Sequence, residues 1–289
     1  MTRIVDGHAA ARRLLAQTAQ DSALAQASLG RAPRLALLMM GEAAPARAYA
    51  ARIEEFAGLA EVDTMIVSGP ADGSLAQMQA LVRQLNADES IDGILPLTPF
   101  PSGIAMADIA AILSSQKDVD GLTPLNAGQL AAGLEGLFPC TPQAAVLLAE
   151  EVLGDLRGLN ATVVGASASV GRPLAQLLLQ RGVTVTIAHI DTRDLVAACQ
   201  TADVVFAAAG RAGLIGARHV RPGATVIDIG INLVTQADGS RRILGDVDLA
   251  AVDGVAAVIS AVPDGVGPLT TAFLLANTVL AAQRRHAGA

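Results

Sequence analysis

The chain contains one tyrosine, Tyr49, and one lysine, Lys117. A tyrosine and a lysine four residues apart on a helix share one face, where a phenol and an amine could act on a single substrate. Here Ile53 is four residues after Tyr49, and Lys117 lies in a separate motif that ends in Asp120-Gly121. Asp120 either caps a turn or binds a ligand. The sequence therefore predicts a site that has the phenol and lacks the amine.

A second group of residues has the character of a dinucleotide-binding turn. The apolar run 161–164 leads into a turn and then a predicted helix, and the turn contains Gly165, Ala166, Ser167, Val170, Gly171, Arg172 and Pro173. Free N–H groups at such a helix start favour a pyrophosphate. Ser167 replaces the second glycine of the common pattern and the last glycine comes one residue late. The motif alone therefore also fits a strand-to-helix turn without a ligand.

The next predicted strand ends beside residues suited to a nucleotide ribose. His189, Ile190 and Asp191 follow it, at about the spacing at which an acidic side chain reaches the ribose. A carboxylate pairs with a free 2′-hydroxyl and repels a 2′-phosphate, so NAD is predicted over NADP. Arg172 and Arg193 could still pair with a phosphate. The pair Ala209-Gly210 forms a second small-residue turn at the same sheet edge.

Strands and helices alternate along the chain, which is typical of parallel sheets covered by helices on both faces. Helices are predicted over 7–26, 46–59, 75–86, 142–153 and 174–181, and strands over 34–41, 61–67, 93–95, 161–164, 183–190 and 202–208. The length exceeds the usual size of a single core. A two-lobed α/β fold follows.

Composition narrows the class of function. The net charge of −7 is spread over scattered residues, which argues against nucleic acid or an anionic membrane as a partner and favours a small-molecule ligand. No apolar run reaches membrane-spanning length and no signal-like start is present, so a cytoplasmic protein is expected. Cys140 and Cys199 form no disulfide or metal pattern, and Cys140 is expected to be structural. The histidines form no catalytic or metal-binding group, so no metal is predicted.

Short sequence blocks in a fixed order are more specific than any single motif. The blocks include Asp6-Gly7, Tyr49, 92–95, 99–101, 117–121, Asn126, 139–142, 165–173, 226–232, 245–247, 265–268 and Asn277-Thr278. In this order they resemble the bifunctional methylenetetrahydrofolate dehydrogenase/cyclohydrolase family over nearly the whole chain.

The resemblance implies two three-layer α/β lobes around a folate cleft. The first lobe would be 1–141, with helix 271–289 packing back on it, and the second a Rossmann-like lobe, 142–270. It implies that Tyr49 stacks on the folate and Asp120 accepts hydrogen bonds from the pterin. The floor beside the nicotinamide would contain Pro263, Gly265, Val266, Gly267 and Pro268, and Ile231 and Thr270 would contact the cofactor. A homodimer is also implied, with 233–244 as an extended arm around a turn at 237–240.

The chain departs from this family's pattern where the chemistry should occur. Ile53 stands for a lysine and Leu97 for a glutamine, while Ala46 stands for a serine and Ala144 and Asp264 for glycines. Opening the methenyl ring with water needs proton transfer and charge stabilisation, which isoleucine and leucine cannot supply. Arg52 points about 100° away around the helix and stays protonated. Hydride transfer demands mainly that two rings be positioned.

Three interpretations follow. The first is a methylenetetrahydrofolate dehydrogenase that uses NAD or NADP, with weak or absent cyclohydrolase activity. The second is an oxidoreductase acting on a different one-carbon carrier, which an apolar pocket at Ile53 and Leu97 would accommodate. The third is a non-catalytic folate- and dinucleotide-binding protein. Turnover separates the first from the third, and ligand identity separates the first from the second.

Overall fold

The computed structural model of the protein describes residues 1–235 and 239–286. The chain divides into two compact units. The first unit comprises 12–140 and 271–289, and the second comprises 1–11 and 141–270. The expectation that 1–141 forms one lobe is wrong for the first eleven residues. A strand at Arg3–Val5 pairs in parallel with Val258–Ser260, which ties the N-terminus to the second unit.

Every predicted helix and strand is present, with its ends shifted. The strands are β1 (Arg3–Val5), β2 (Arg34–Met40), β3 (Asp63–Gly69), β4 (Gly93–Pro96), β5 (Asn160–Val164), β6 (Thr184–Ala188), β7 (Val204–Ala207), β8 (Thr225–Asp228), β9 (Asn232–Thr235), β10 (Arg241–Leu244) and β11 (Val258–Ser260). The helices are α1 (His8–Leu29), α2 (Ala44–Ala60), α3 (Leu75–Ala87), α4 (Met106–Ala110), α5 (Pro124–Ala131), α6 (Cys140–Leu153), α7 (Gly171–Gln180), α8 (Leu195–Gln200), α9 (Leu249–Val252) and α10 (Val266–His286).

The first unit is built on a parallel sheet in the order β3-β2-β4. The central strand β2 is buried from Leu35 to Met40, which explains its continuous apolar sequence. Helix α3 covers this sheet with Met78, Val82 and Leu85. Ser74 begins that helix with a capping box, because Gln77 hydrogen bonds back to the Ser74 backbone.

The second unit contains a six-stranded sheet in the order β1-β11-β8-β7-β5-β6, parallel throughout. From β5 the chain goes to β6 on one side and then to β7 on the other. Such a reversal of strand order leaves a crevice at the carboxyl ends of the strands, where nucleotides bind in Rossmann-like folds. The sheet thus positions the turn after β5 beside the ends of β6 and β7.

The arm predicted over 233–244 is an antiparallel pair of β9 and β10. Of the predicted turn at 237–240, residues 237 and 238 lie outside the described residues, as do the last three residues of the predicted helix 271–289. The expectation that no apolar stretch reaches membrane-spanning length is wrong for Val266–Arg285, whose mean hydropathy is 1.2. Polar residues interrupt the stretch, but its mean hydropathy stays as high as that of a membrane-spanning helix. It is 67% buried inside the protein, as core helices are.

Candidate active site

Helix α2 carries Tyr49 and Ile53 on adjoining turns. Its buried face is formed by Ala46, Ala50, Ile53, Ala57 and Ala60, and Ile53 has no exposed surface. Tyr49 is half-buried beside this face, and its hydroxyl hydrogen bonds with Thr271. Burial raises the pKa of Tyr49 well above its ordinary value of 10, and Cys140 and Asp120 add to the shift. Tyr49 is therefore a neutral phenol that can stack or hydrogen bond but does not act as a base.

Asp120 belongs to a polar cluster in the first unit. One of its carboxylate oxygens accepts a 3.0 Å hydrogen bond from the Cys140 backbone N–H. Asn277 Nδ2 donates to the Val119 carbonyl at 2.7 Å and lies 3.5 Å from Cys140 Sγ. Burial raises the pKa of Asp120 to about 6, which the Cys140 hydrogen bonds partly oppose. The cluster fixes Asp120 near Tyr49, and the carboxyl group of Asp120 has a pKa close to neutral pH.

Cys140 has the structural role that the sequence predicts. Its thiol donates to the Val119 carbonyl at 3.3 Å and is buried. Burial raises the pKa of the Cys140 thiol well above its ordinary value, and Asp120 raises it further. A thiolate is the reactive form of cysteine, so this side chain is held in its inert form.

Leu97 follows strand β4 and is 3% exposed. Its backbone N–H donates to the Leu38 carbonyl at 2.7 Å, which extends the β2–β4 pairing by one residue. The position is therefore fixed by the sheet whatever side chain occupies it. In this chain it presents an apolar group.

The only lysine of the chain is engaged elsewhere. Lys117 Nζ donates to the carbonyls of Leu85, Asn86 and Asp88 at 2.9, 2.9 and 2.6 Å. These carbonyls lie at the end of α3, where the last C=O groups of a helix lack intrahelical partners. All three ammonium donors are used, and burial lowers the pKa of Lys117 to about 8. Lys117 therefore closes α3 and does not replace the amine missing at position 53.

In the second unit, glycines shape the turn between β5 and α7. A Cβ on Gly165 would lie 2.1 Å from the Ala208 carbonyl oxygen, and one on Gly171 would lie 1.9 Å from the Gly165 oxygen. Gly165 also has a φ of +123°, which L side chains rarely adopt. Ser167 Oγ accepts from the N–H groups of Val170 and Gly171 at 3.2 and 3.3 Å. Ser167, which stands at the usual second glycine, thereby occupies the backbone N–H groups at the start of α7.

This turn borders a cavity of about 470 Å³ at the carboxyl ends of β5, β6 and β7. It is lined by Val164, Gly165, Ala166, Ser167, His189, Ile190, Thr192, Leu195, Ala208, Ala209, Arg211 and Leu214. Six of the predicted cofactor contacts are among them. The remaining ones, Val170, Gly171, Arg172, Pro173, Asp191, Gly210, Ile231 and Thr270, do not line it, and their contacts with a cofactor stay predictions.

Asp191 is less engaged with the cavity than its spacing suggests. Its side chain is 85% exposed, and its carboxylate lies 3.6 Å from His189 Nδ1. Its backbone N–H donates to the same nitrogen at 3.2 Å. The backbone N–H of His189 in turn donates to Thr192 Oγ1 at 2.8 Å, which folds the loop into a tight turn. Asp191 is thus held beside the cavity rim by His189.

The sequence did not indicate how the turn after β7 is fixed. Asp246 has no exposed surface, and its carboxylate accepts hydrogen bonds from the backbone N–H groups of Ala209, Gly210 and Arg211 at 2.6, 2.8 and 2.8 Å. The backbone of Asp246 is held by Asp228, whose carboxylate accepts hydrogen bonds from the backbone N–H groups of Asp246 and Val247. Asp246 lies in the block 245–247 of the family resemblance, but its role depends on contacts across 35 or more residues.

The predicted floor residues divide between a turn and a helix. Pro263 and Gly265 lie in the turn after β11, whereas Val266, Gly267 and Pro268 form the first turn of α10. Thr270 Oγ1 donates to the Val266 carbonyl at 3.1 Å. Asp264 is exposed and lies 3.4 Å from His8 Nε2. Within 1–235 and 239–286, no group of His, Cys, Asp and Glu side chains is arranged to hold a metal ion.

Two family models match successive parts of the chain. Residues 5–120 match the catalytic domain of tetrahydrofolate dehydrogenase/cyclohydrolase, and residues 139–286 match its NAD(P)-binding domain. The chain belongs to the tetrahydrofolate dehydrogenase/cyclohydrolase family. Tyr49 and Asp120 fall within the catalytic-domain match, and the cavity falls within the NAD(P)-binding match.

Relatives in this family are similar over their full lengths. The bifunctional protein FolD of Sphingopyxis alaskensis is 45% identical over 288 residues, which cover 98% of this chain and 94% of that protein. The FolD structure from Campylobacter jejuni superposes with a TM-score of 0.91 at 34% identity, covering 99% and 100% of the two chains. The FolD structure from Trypanosoma brucei, a complex with NADP and an inhibitor, has a TM-score of 0.90 at 30% identity and covers 100% and 99%.

Proposed function

We propose that the protein is an NAD(P)-dependent 5,10-methylenetetrahydrofolate dehydrogenase whose methenyltetrahydrofolate cyclohydrolase activity is weak or lost. The observation that carries this proposal is the contrast between an open dinucleotide cavity and a fully buried isoleucine where the family's amine is expected. The family to which the chain belongs supports the dehydrogenase activity. The apolar side chains of Ile53 and Leu97 support the weak or lost cyclohydrolase activity.

Hydride transfer requires that the folate and the nicotinamide be positioned in a dry site, because the bound cofactor supplies the chemistry. The chain has the parts for this task. Gly165 and Gly171 allow the close backbone contacts that shape the turn after β5, and this turn lines the dinucleotide cavity through residues 165–167. Tyr49 offers an aromatic face to the folate, and Asp120 offers a hydrogen-bond acceptor to the pterin.

Hydrolysis requires a group that moves a proton and stabilises developing charge. Ile53 and Leu97 are apolar and buried, and Lys117 is held at the end of α3. Tyr49 stays protonated because burial raises its pKa. Asp120, whose pKa is about 6, is proposed to hold the pterin.

The test measures two reactions on one purified protein. We expect dinucleotide reduction with methylenetetrahydrofolate, and methenyltetrahydrofolate decay no faster than in buffer alone. Both are followed by absorbance. A clear enzyme-dependent decay would show that another group moves the proton and would overturn the second half of the proposal. Absence of any dinucleotide reduction, with folate and dinucleotide both bound, would favour a non-catalytic binding protein.

Two variants connect the result to α2 and β4. Ile53→Lys with Leu97→Gln is expected to restore some hydrolysis, although Ala46 and Asp264 remain as further departures. The matched control is Ile53→Met with Leu97→Met, which adds length without an amine or amide and is expected to restore none. Equal rates in the two double variants would show that pocket shape, and not the added groups, limits hydrolysis.

A second candidate function keeps the oxidoreductase class and changes the substrate. The apolar, buried side chains of Ile53 and Leu97 favour a one-carbon carrier with a less polar reacting end. Titration with tetrahydrofolate species, read by calorimetry, distinguishes the two candidates. Binding of methylenetetrahydrofolate in the micromolar range with turnover would favour the first.

Three finer features complete the proposal. NAD is the preferred cofactor, because Asp191 lies at the cavity rim and Ile190-Asp191, with no basic residue, directly follow His189. The protein works in the cytoplasm with folate as its partner and binds neither nucleic acid nor membrane.

The protein is also proposed to be a homodimer, because Leu233 and Ile243 of the β9–β10 arm leave apolar surface exposed that a second copy could cover. Sedimentation at micromolar concentration tests the dimer, and a monomer throughout would remove that feature.

A further inference from the structure

We infer that Arg211 binds a phosphate group of the dinucleotide and that Asp246 is the positioning residue that holds Arg211 at the cavity. This inference rests on the proposed nicotinamide cofactor and adds the residue that recognises its charge. Neither residue was predicted as a cofactor contact from the sequence.

The charge of the cavity lining indicates that Arg211 binds a phosphate. Among the described residues that line the cavity, Arg211 is the only arginine or lysine, and no acidic side chain lines it. The Arg211 side chain is exposed, and no carboxylate in 1–235 or 239–286 lies within 4.0 Å of it. Its five N–H donors are therefore available to a ligand. A dinucleotide carries at least two negative charges, and a guanidinium forms charge-assisted hydrogen bonds with phosphate oxygens.

The backbone hydrogen bonds around Arg211 indicate that Asp246 positions this side chain. Asp246 accepts hydrogen bonds from three consecutive N–H groups, at Ala209, Gly210 and Arg211. Its fourth bond comes from Asn232 Nδ2 at 2.8 Å. Gly210 has a φ of +65°, which turns the chain sharply before Arg211. A buried carboxylate that holds three successive amides fixes the direction in which the next side chain leaves the turn.

The surroundings of Asp246 leave it no room to move. A Cβ on Gly230 would lie 2.2 Å from the Asp246 carboxylate, and a Cβ on Gly245 would lie 1.8 Å from the Asp228 carboxylate. Asp228 accepts from the Asp246 N–H at 2.9 Å. Both glycines are therefore required for the two carboxylates to pack at this depth. A rigid support of this kind suits a residue that must meet a ligand in one orientation.

The first experiment compares dinucleotide binding to Arg211→Gln and to wild type, by fluorescence titration at two salt concentrations. We expect about a tenfold weaker affinity and a smaller dependence of that affinity on salt. Arg218→Gln is the matched control, because it removes an exposed arginine of the same unit that does not line the cavity. Its binding is expected to equal wild type.

NAD and NADP are both titrated, because the phosphate could be the shared pyrophosphate or the 2′-phosphate of NADP. Equal weakening for both assigns Arg211 to the pyrophosphate, and weakening for NADP alone assigns it to the 2′-phosphate. If wild type binds a dinucleotide and Arg211→Gln binds both equally well, the inference is wrong. If wild type binds neither, the proposed function fails first.

Asp246→Asn tests the positioning role. An amide has one acceptor oxygen, so at least one of the three backbone N–H groups loses its partner. We expect weaker dinucleotide binding with folate binding retained. A double-mutant cycle with Arg211→Gln decides the mechanism. If Asp246 acts through Arg211, the double variant binds no more weakly than the weaker single variant, whereas additive losses would overturn the positioning role. Should Asp246→Asn fail to fold, Arg211→Gln still decides the phosphate contact.

Discussion

The candidate folate contacts of the first unit and the dinucleotide cavity of the second unit are made of different kinds of atoms. Around Tyr49 the chemistry depends on side chains, and Ile53 and Leu97 show that two substitutions change what it can do. The turn that borders the cavity is instead shaped by close backbone contacts of Gly165 and Gly171, and Ser167 accepts hydrogen bonds from the backbone at the start of α7. A backbone site is kept as long as its glycines are kept. One chain can therefore retain a cofactor site while it changes the chemistry at the substrate.

The largest expected effect concerns the lysine that the first unit uses for structure. Lys117→Met leaves three carbonyls at the end of α3 without their donor, and we expect the free energy of unfolding to fall by about 3 kcal/mol. Urea unfolding measures it. The control is Arg83→Met, an exposed position on α3, with little expected change. A well-folded Lys117→Met protein with altered catalysis would show that the first unit's lysine acts at the site.

The next largest effect tests whether the cavity is a backbone site. Gly171→Ala places a Cβ 1.9 Å from the Gly165 oxygen, so the turn must shift. We expect dinucleotide affinity to fall about 30-fold, measured by fluorescence titration. Gly128→Ala in α5 is the control, because its Cβ meets nothing within 4 Å. An unchanged affinity in Gly171→Ala would break the comparison, since the turn would then tolerate side chains.

Asp120 gives the side-chain site a pH dependence that a backbone site lacks. Its pKa of about 6 predicts that folate affinity falls about tenfold from pH 7 to pH 5, as the carboxylate acceptor is protonated. Because the folded-state pKa lies above 3.8, ionisation also lowers folding stability as the pH rises from 3.8 to about 6. Asp120→Asn should remove the inflection in the affinity profile. Its persistence in that variant would assign the titration to another group.

The smallest effect concerns Asp191, the side chain proposed to favour NAD over NADP. Asp191→Ser is expected to shift the NAD-to-NADP affinity ratio a few-fold toward NADP, because an exposed carboxylate is screened by solvent and salt. Titration of both cofactors measures the ratio. If wild type already binds NADP more tightly, or the ratio does not change, the NAD preference is wrong.

Much of the fold follows from local pattern. The continuous apolar run of β2 predicts a buried parallel strand, and Ser74 with Gln77 marks the start of α3. The glycine turn after β5 is also readable, because only glycine fits its close approaches. Strand β1 was not predicted, because its three residues gain their stability from pairing with β11, more than 250 residues away.

The sequence by itself determined the family, the alternation of strands and helices, the dinucleotide turn and the absence of a lysine four residues after Tyr49. These depend on residue type and on spacing within one element. Only the tertiary structure decided that Lys117 closes α3, that Asp120 gains a pKa near 6 through burial and that Asp246 holds the turn before Arg211. Burial and hydrogen bonds between distant segments exist only once the chain has folded. The role of a polar side chain is therefore set by partners that its own neighbourhood in the sequence does not contain.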